Sequence, residues 1–470
     1  MIRNNTFRQY SLWVMVIFIT LLLCFISLYA FRLSWLTKPE EKVVQATSQI
    51  KKFINENIFS VSNYDKDFIR NHFILINTTE DAGLAQAPPE GLGAPGITSI
   101  TDRAKLAKLF KWLYENDSLY KIAVCDLTFY DAAQNARDDS VLRKYINLLL
   151  RKEESKIIFA GQFDENGKNS GKSVFEDIDK NTALLGNTHY TDRGGGFIEY
   201  TLATNKNTIK SLPLLLYENT HNIYTTDGRI FNRGDREGPM GLIKLKDKDG
   251  VSNRVWNSFT PEIIFDAEAI DSLPSFENSK MPSDEIPCKI RLGTAAAEGE
   301  YLSILCSNNK EKIIFIGAFG GRHNDKHETL YGQTDGSVIL LNIYYRLSTG
   351  KNNVSWLFLI FLFAVFFVLS IDIVFNGYLH NLFFYIVSIF LLLGIPKILL
   401  DGLGMISVGF KIASKEYTKW VKDESHYFIL ILVAIIANVF FNRIINIVII
   451  AIAVFILYKL FKYLYGNNEK

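Results

Sequence analysis

The stretch Lys312-Ile-Ile-Phe-Ile-Gly-Ala-Phe-Gly-Gly-Arg-His-Asn-Asp-Lys-His-Glu-Thr329 decides how this chain is organised. Its pattern predicts a buried strand, a glycine turn and a polar loop dense in His and Asp. A helix is predicted next, between Gly336 and Gly350. Directly afterwards, at Ser355, the sequence becomes almost continuously hydrophobic. The most site-like polar stretch therefore stands at the join between a soluble domain and a membrane domain.

Length and composition point to the same division. A chain of 470 residues is too long for one ordinary domain. Hydrophobic residues reach 48%, whereas the charged fraction of 21% is close to that of a soluble protein. This combination predicts an average soluble part beside membrane segments. The net charge of +2, without a basic stripe, argues against a nucleic-acid partner.

The first membrane segment is predicted at Ser11–Ala30, because about 20 uncharged residues span a bilayer as a helix. Arg3 and Arg8 precede it, so the positive-inside rule places residues 1–10 in the cytoplasm. A cleaved signal peptide is the alternative, but no small-x-small cleavage site follows Ser27. A signal anchor would leave residues 31–353 in the periplasm, or outside the cytoplasm, of a bacterial inner membrane.

A second hydrophobic cluster is predicted at residues 354–464, before a tail at 465–470. The last two of its apolar segments are either two short spans or one long kinked helix, so we predict three or four spans. The lipid bilayer is thus the first expected partner. The segments are Trp356–Ile371, Leu382–Leu400, Tyr427–Phe441 and Ile444–Phe461.

Between the membrane segments, strand and helix patterns alternate, which predicts an α/β extracytoplasmic domain with parallel strand pairs in a mixed sheet. A helix is also predicted from Arg32 to Asp67. Residues 219–287 are polar and loop-rich, and are interpreted as an insertion. The predicted strands are Phe73–Asn77, Lys121–Phe129 (regular as far as Asp126) and Lys156–Gly161, with helices capped by Thr101-Asp102 and by Asp138-Asp139-Ser140. Weaker predictions are a glycine turn and edge strand at Thr191–Tyr200, a helix at Ile209–Tyr217 interrupted by Pro213, and a hairpin flanked by Ile290 and Leu302–Cys306.

Four cysteines, Cys24, Cys125, Cys288 and Cys306, are too few and too scattered for a disulfide scaffold or a zinc site. Cys288 and Cys306 could form a disulfide or stay as two buried thiols, and the sequence leaves both readings open. No cofactor is expected.

Candidate site residues follow from the sheet. Ligands bind beyond the carboxyl ends of parallel strands, which makes Asp126 a candidate by position. Asp131 could pair with it for acid–base chemistry or metal binding, although carboxylates at a strand end more often orient a turn. Asp325 would converge with Asp126 if their strands are neighbours, which the sequence leaves open.

The segment His323–Glu328 packs two imidazoles and two carboxylates into six residues, all of them metal-ligand types. The segment follows Gly320-Gly321 and is therefore predicted as a loop, where ordinary hydrogen bonding is the plainer reading. Whether it binds a metal is unknown. No nucleophile motif appears in the chain, so we expect no enzyme.

With these pieces in place, the chain resembles a CHASE2 domain protein, the extracytoplasmic sensor module of bacterial signalling receptors. The resemblance covers the overall layout of membrane segments and domain. The family's Trp-Pro-x-x-Arg element is reduced here to Thr101–Arg103. Locally the resemblance rests on Phe73–Asn77, on Ile122–Phe129 with Asp138-Asp-Ser-Val-Leu142, on Thr191–Phe197, and on Ile313–Gly317 with Asp325-Lys-His327-Glu-Thr329, Gly336 and Asn342.

The resemblance implies a sensor that relays to a separate membrane or envelope protein, since no output domain follows Phe461 in this sequence. A homo-oligomer is compatible with it. The ligand-binding residues that we predict are Asp126, Asp325, His327, Thr329 and Arg322. Two alternatives stay open: a structural or assembly component of a cell-envelope membrane complex, and a metal-dependent envelope enzyme using Asp126, Asp325, His323 and His327.

Overall fold

The fold is taken from a computed structural model. The structure describes residues 2–29, 62–86, 97–152, 154–163, 173–192, 198–204, 209–226, 242–259, 270, 273, 287–297, 299–307, 311–320, 325–329, 332–353, 355–375, 430, 433, 436–437 and 447–465.

The helices and strands are numbered separately in chain order. The helices are α1 (Ile2–Tyr29), α2 (Ser62–His72), α3 (Arg103–Glu115), α4 (Ala136–Leu150), α5 (Glu176–Lys180), α6 (Leu212–His221), α7 (Leu292–Ala297), α8 (Gly299–Ser307), α9 (Gly336–Ser348), α10 (Trp356–Val374) and α11 (Ile447–Tyr465). The strands are β1 (Phe73–Asn77), β2 (Ala82–Gln86), β3 (Ile97–Thr101), β4 (Ile122–Cys125), β5 (Ile157–Gly161), β6 (Leu185–Asn187), β7 (Thr191–Asp192), β8 (Ile198–Thr201), β9 (Ala203–Thr204), β10 (Ile209–Lys210), β11 (Ile223–Thr226), β12 (Leu242–Asp247), β13 (Ser252–Trp256), β14 (Ser258–Phe259), β15 (Lys289–Arg291), β16 (Ile313–Gly317), β17 (Lys326–Thr329) and β18 (Gly332–Asp335).

A six-stranded sheet forms the centre of the domain, with strand order β15-β1-β16-β4-β5-β6. Every pairing in it is parallel. The predicted α/β class is therefore confirmed, but the expectation of a mixed sheet was wrong for this sheet. Antiparallel pairing occurs in separate small sheets, among them β2–β3, β11–β12–β13 and β17–β18.

Both faces of the parallel sheet are buried, as parallel sheets require. Alternate residues of β1 show this, because Phe73 and Leu75 face one core and Ile74 and Ile76 face the other. Helices α6 and α9 cover the first face. Helices α3, α4, α7 and α8 cover the second. The strands consequently read as continuous apolar runs, which is why the sequence revealed them.

Several local predictions need correction. Asn135, not Asp138, caps α4 through its side chain, because Asp138 and Asp139 already lie in the first helical turn. Pro213 lies in the first turn of α6 and does not interrupt the helix, since a first-turn residue needs no intrahelical partner for its backbone N–H. Leu302–Cys306 is helical and belongs to α8. The expected hairpin is thus absent there, and Ile290 lies in edge strand β15 of the parallel sheet.

The cysteine question is also resolved in the described chain. Cys288 and Cys306 are both buried and form no disulfide. Of the two readings left open by the sequence, the structure has two buried thiols. Residues 219–287, interpreted as an insertion, contain the antiparallel sheet β11–β12–β13 in their described part.

Three long helices, α1, α10 and α11, form a separate apolar cluster. Val16 and Leu23 of α1 pack there with Phe366 of α10, and the Thr20 Oγ1 hydroxyl lies 3.0 Å from Ser370 Oγ. Among the described residues, Gln9–Ser27 is the one helical segment long and apolar enough to cross a membrane. The apolar parts of α10 and α11, Trp356–Ile371 and Ile450–Phe461, are shorter.

Some predicted segments lie outside the described residues. They include most of the helix expected from Arg32 to Asp67, the apolar segment Leu382–Leu400 and most of Tyr427–Phe441. The three or four C-terminal spans therefore stay a prediction.

Candidate functional site

A cavity of about 650 Å³ opens at the carboxyl ends of the parallel strands. This position follows from the topology, because the loops leaving parallel strands all emerge at one edge of the sheet. The wall of the cavity contains the residues that directly follow five strands of the sheet, β1, β16, β4, β5 and β6. These residues are Thr78 and Thr79, Ala318, Asp126 to Thr128, Gln162, and Thr188 to Tyr190.

Two further groups of residues complete the wall. On one side, the β2–β3 hairpin and the start of α3 contribute Asp81, Ile100, Thr101 and Arg103. On the other side, β17 and the start of α9 contribute Asp325, His327, Gly336, Ile339 and Leu340. The cavity is thus lined by strand ends below and by two hairpins at its sides.

Asp126 directly follows β4 and is only partly exposed. Its backbone N–H donates to Ile316 O at 2.8 Å, and the Ser337 hydroxyl donates to its carboxyl Oδ2 at 2.6 Å. Burial raises the pKa of Asp126 to about 8, the Ser337 hydrogen bond opposes this rise, and the Asp325 charge adds to it. The carboxyl group therefore holds its proton at neutral pH.

Two glycines allow this arrangement by close approach. A Cβ atom at Gly317 would lie 2.3 Å from Ser337 Oγ, and one at Gly336 would lie 2.5 Å from Asp325 Oδ2. Both distances are too short for any other residue without movement. The Ser337 hydroxyl also accepts a hydrogen bond from Ala318 N–H at 3.0 Å. Strands β16 and β4 are in this way joined to the first turn of α9.

His327 joins Asp325 to the loop after β6. Its Nε2 lies 2.9 Å from Asp325 Oδ1, and its Nδ1 hydrogen-bonds the Tyr190 hydroxyl. The Tyr190 ring meets the imidazole edge to face, with 4.7 Å between ring centroids. Burial lowers the pKa of His327, opposed by the charge of Asp335. The ring is therefore neutral at neutral pH, with Nε2–H donating to Asp325 and Nδ1 accepting from Tyr190.

On the opposite side the charges are matched. Asp81 accepts from Lys105 Nζ at 2.6 Å and from Gly293 N–H at 2.9 Å. Arg103 is 4% exposed and donates through Nη2 to Asp131 O at 3.1 Å. Its Nε lies 3.5 Å from Asp139 Oδ1. Burial lowers the pKa of Arg103, an effect opposed chiefly by the charge of Asp139, but arginine stays cationic in proteins.

The structure brings together most of the predicted site residues. Asp126, Asp325, His327 and Asp131 all line the cavity, so the convergence of Asp126 with Asp325 is confirmed, because β16 and β4 are neighbours. Thr329 is not a lining residue: its hydroxyl lies 3.3 Å from Thr334 Oγ1 within the β17–β18 hairpin. Arg322 and His323 lie outside the described residues.

Sequence reasoning missed Asp81, Arg103, Tyr190 and Ser337. Asp81 could have been found by the logic that found Asp126, because it follows the predicted strand β1 closely. Tyr190 follows β6, a strand of three residues that gave no signal. As for a metal, the described residues contain no group of three or more His, Cys, Asp or Glu side chains placed to hold one.

Comparisons with known proteins add no relative. No family profile, no curated protein and no solved structure matches the chain. The site's own geometry therefore carries the functional argument.

Proposed function

We propose that this chain is a membrane-anchored, CHASE2-like extracytoplasmic sensory protein without enzymatic activity. Its α/β domain would bind a small polar ligand in the cavity and relay binding to a separate membrane or envelope protein. The observation that carries the proposal is the position of α9. Its first turn lines the cavity, and the Ser337 hydroxyl in that turn donates a hydrogen bond to the Asp126 carboxyl group. After its last turn, only residues 349–355 separate it from α10.

The relay is supported by the packing of α9. Its residues from Gly336 to Leu347 are all buried, so a displacement of its first turn moves the helix as one packed body. The segment after α9 is held as well: Asn352 Nδ2 donates to Trp256 O at 2.8 Å, and Trp256 N–H donates to Asn352 O at 3.2 Å. A movement of α9 would therefore be passed to α10 through the short segment 349–355.

The membrane location is supported by the helical cluster. Gln9–Ser27 of α1 has the length and composition of a span. The outward faces of the cluster are apolar, with Phe18 and Leu21 exposed on α1 and Leu357 and Phe363 exposed on α10. Such faces are suited to lipid. We place residues 31–353 outside the cytoplasm and assign α10, α11 and the segments Leu382–Leu400 and Tyr427–Phe441 to the proposed C-terminal spans.

The test is to substitute residues that line the cavity and to measure crosslinking of the chain to its partner protein. In cells treated with a protein crosslinker, Asp325→Ala and His327→Ala should change the yield of the crosslinked partner by about fivefold or more, the lower range of allosteric coupling. Glu311→Gln is the matched control, since Glu311 is exposed and forms an ion pair with Lys121 at the surface. Labelling of Asp249→Cys by a membrane-impermeant maleimide on intact cells checks the location of the domain.

Cavity variants that fold normally and crosslink as the wild type does would contradict the relay. That outcome, together with a stable stoichiometric complex, would favour the second candidate: a structural or assembly component of a cell-envelope complex. The observation behind this candidate is the large apolar outer face of α1 and α10, which another membrane protein could cover.

A further inference from the structure

Resting on the proposed ligand-binding function, we infer that the cavity binds an uncharged, hydroxyl-rich ligand, a disaccharide or trisaccharide. Its hydroxyl groups donate hydrogen bonds to two matching strand ends on the cavity floor. The repeated hydrogen bonding of these strand ends, their lack of charge and their separation together indicate this class of ligand.

The floor of the cavity contains two copies of one strand pair. Strand β16 with the residue before it reads Lys312-Ile-Ile-Phe-Ile-Gly317, and β5 with the residue before it reads Lys156-Ile-Ile-Phe-Ala-Gly161. The terminal glycine of β16 pairs with Asn77 of β1, and that of β5 pairs with Asn187 of β6. The two pairs flank β4, because the strand order is β1-β16-β4-β5-β6.

The residues after the two asparagines repeat the same hydrogen bonds. Thr78 donates to Gly317 O through its backbone N–H at 3.0 Å and through its hydroxyl at 3.1 Å. Thr188 donates to Gly161 O through its backbone N–H at 3.1 Å, and its hydroxyl lies 3.5 Å from the same oxygen. Each asparagine Oδ1 accepts the backbone N–H two residues further along the chain. The segments 77–79 and 187–189 are therefore two matching half-sites.

The half-sites present hydrogen-bond acceptors to the cavity. Thr78, Thr79 and Thr188 all line it. The Thr79 hydroxyl donates to Asn77 Oδ1 at 3.1 Å, just as the other two hydroxyls point their protons at glycine carbonyls. A hydroxyl has one proton and two lone pairs, so a hydroxyl whose proton is already used can only accept from a ligand. The ligand group that fits against each half-site is therefore a donor.

The half-sites also favour a donor without charge. Neither segment contains a carboxyl, Lys or Arg side chain. An ammonium group placed there would lose its hydration without gaining a counter-charge, which is costly. A hydroxyl group loses far less and still donates. Across the cavity, the guanidinium of Arg103 is already paired with Asp139 and the backbone oxygen of Asp131.

The separation of the half-sites sets the length of the ligand. Strands β1 and β6 are four strand spacings apart, or about 19 Å at about 4.8 Å for each spacing. A single sugar ring is too short to reach both half-sites, whereas linked sugars carry similar hydroxyl groups along their length. The cavity volume of about 650 Å³ lies within the range of small-molecule sites. Apolar surface for the C–H faces of the rings comes from Ile100, Leu127, Ile339, Leu340 and the ring of Tyr190.

The experiment measures binding of neutral sugars to the full chain in lipid nanodiscs by calorimetry at pH 7. The probes are maltotriose, cellotriose and triacetylchitotriose, each compared with its monosaccharide. The permethylated form of the tightest-binding trisaccharide is the matched control, because methylation keeps the oxygens and removes the hydroxyl protons. We expect at least one trisaccharide to bind about tenfold or more tightly than its monosaccharide, since it reaches both half-sites. Permethylation should weaken it about tenfold or more.

Three variants locate the sugar. Thr78→Val and Thr188→Val keep the side-chain shape and remove one acceptor each, so each should weaken the trisaccharide about fivefold or more. Thr188→Ser keeps the hydroxyl and should bind as the wild type does. The control is Thr220→Val, which removes a buried hydroxyl that donates to Leu216 O within α6 and does not line the cavity. Unfolding midpoints check that each variant is folded.

Each contrary result has a separate meaning. Equal binding of the trisaccharide and its permethylated form overturns the role of ligand donors. Trisaccharide binding that both valine variants leave unchanged overturns the half-sites. Binding of chitotriose, the cationic form of triacetylchitotriose, in place of the neutral sugars overturns the uncharged ligand. If no trisaccharide binds while Asp325→Ala still alters partner crosslinking, the sugar inference fails and the proposed sensor function stands.

Discussion

The two walls of the cavity differ in whether their acidic side chains are paired with basic ones. The paired wall, defined by Asp81, Lys105, Arg103 and Asp139, holds two acids and two bases in contact with one another. The carboxyl wall, defined by Asp126, Asp325 and His327, holds two acids beside an imidazole whose pKa is lowered by burial. Asp81 and Arg103 of the paired wall line the same cavity as the three residues of the carboxyl wall, at one edge of the sheet.

The difference separates structural charges from functional ones. Buried ions that are paired and hydrogen-bonded hold a fold in one arrangement, and breaking one partner leaves an uncompensated charge. Burial raises the pKa of the Asp126 carboxyl in the second wall, and groups with shifted pKa values concentrate at binding and catalytic sites. We therefore expect changes in the paired wall to act on stability, and changes in the carboxyl wall to act on pH dependence and ligand binding.

The largest effect is expected from Arg103→Met. The change keeps apolar bulk but leaves Asp139 without its cation and the Asp131 carbonyl without its donor. Removing one partner of a buried ion pair typically costs about 3–5 kcal/mol. Denaturant unfolding of the full chain should show a loss of this size. Arg254→Met, at an exposed position on β13, is the control and should change the free energy of unfolding by less than about 0.5 kcal/mol. Equal losses in both variants would remove the distinction that defines the paired wall.

A smaller, pH-dependent effect is expected from Asp126→Asn. The pKa of Asp126 is raised from 3.8 to about 8 in the folded protein, so between these values the folded state binds a proton that the unfolded state has lost. Stability from this group is therefore lost as pH rises, with a slope of about 1.4 kcal/mol per pH unit. Between pH 5 and 7, the wild type should lose about 2.7 kcal/mol relative to Asp126→Asn.

The measurement is unfolding of both proteins at several pH values. Parallel curves for the two proteins would mean that Asp126 titrates alike in the folded and unfolded chains. The folded carboxyl wall would then bind no proton that the unfolded chain has lost. The contrast with the paired wall would rest on the loss of stability alone.

The carboxyl wall was largely visible in the sequence, and the paired wall was not. Continuous apolar runs identified β1, β4, β5 and β16, because a sheet buried on both faces needs them. Asp126 and Asp325 follow two of these runs, so their meeting required only that β4 and β16 be neighbours. The pairing of Asp81 with Gly293 joins two residues more than 200 positions apart. No local pattern predicts such a contact.

The errors have a similar origin. Leu302–Cys306 was interpreted as part of a hairpin, although it is helical, because a short apolar run has no period that separates strand from helix. The mixed sheet was wrong, and the three-residue strands β15 and β6 are too short for the sequence to show their direction. The direction of each is fixed by packing at the sheet's edges, where β15 pairs with β1 and β6 with β5.

The smallest effect is expected from Asp81→Asn, and it sharpens the comparison most directly. The amide keeps one acceptor for the Gly293 N–H but loses the charge that attracts Lys105. Lys105 is 39% exposed and can turn to water, unlike Asp139, which is 15% exposed and is left behind by Arg103→Met. The cost should therefore be about 2 kcal/mol, near that of a hydrogen bond to a charged group. Denaturant unfolding measures this cost, and unfolding at several pH values measures the division between the walls. Asp81→Asn should be destabilised while the pH dependence of its stability stays as in the wild type, because the Asp81 charge belongs to the paired wall and not to the surroundings of Asp126. If Asp81→Asn instead changes the pH dependence and keeps the wild-type stability, Asp81 acts with Asp126 and Asp325, and the two walls form one acidic site.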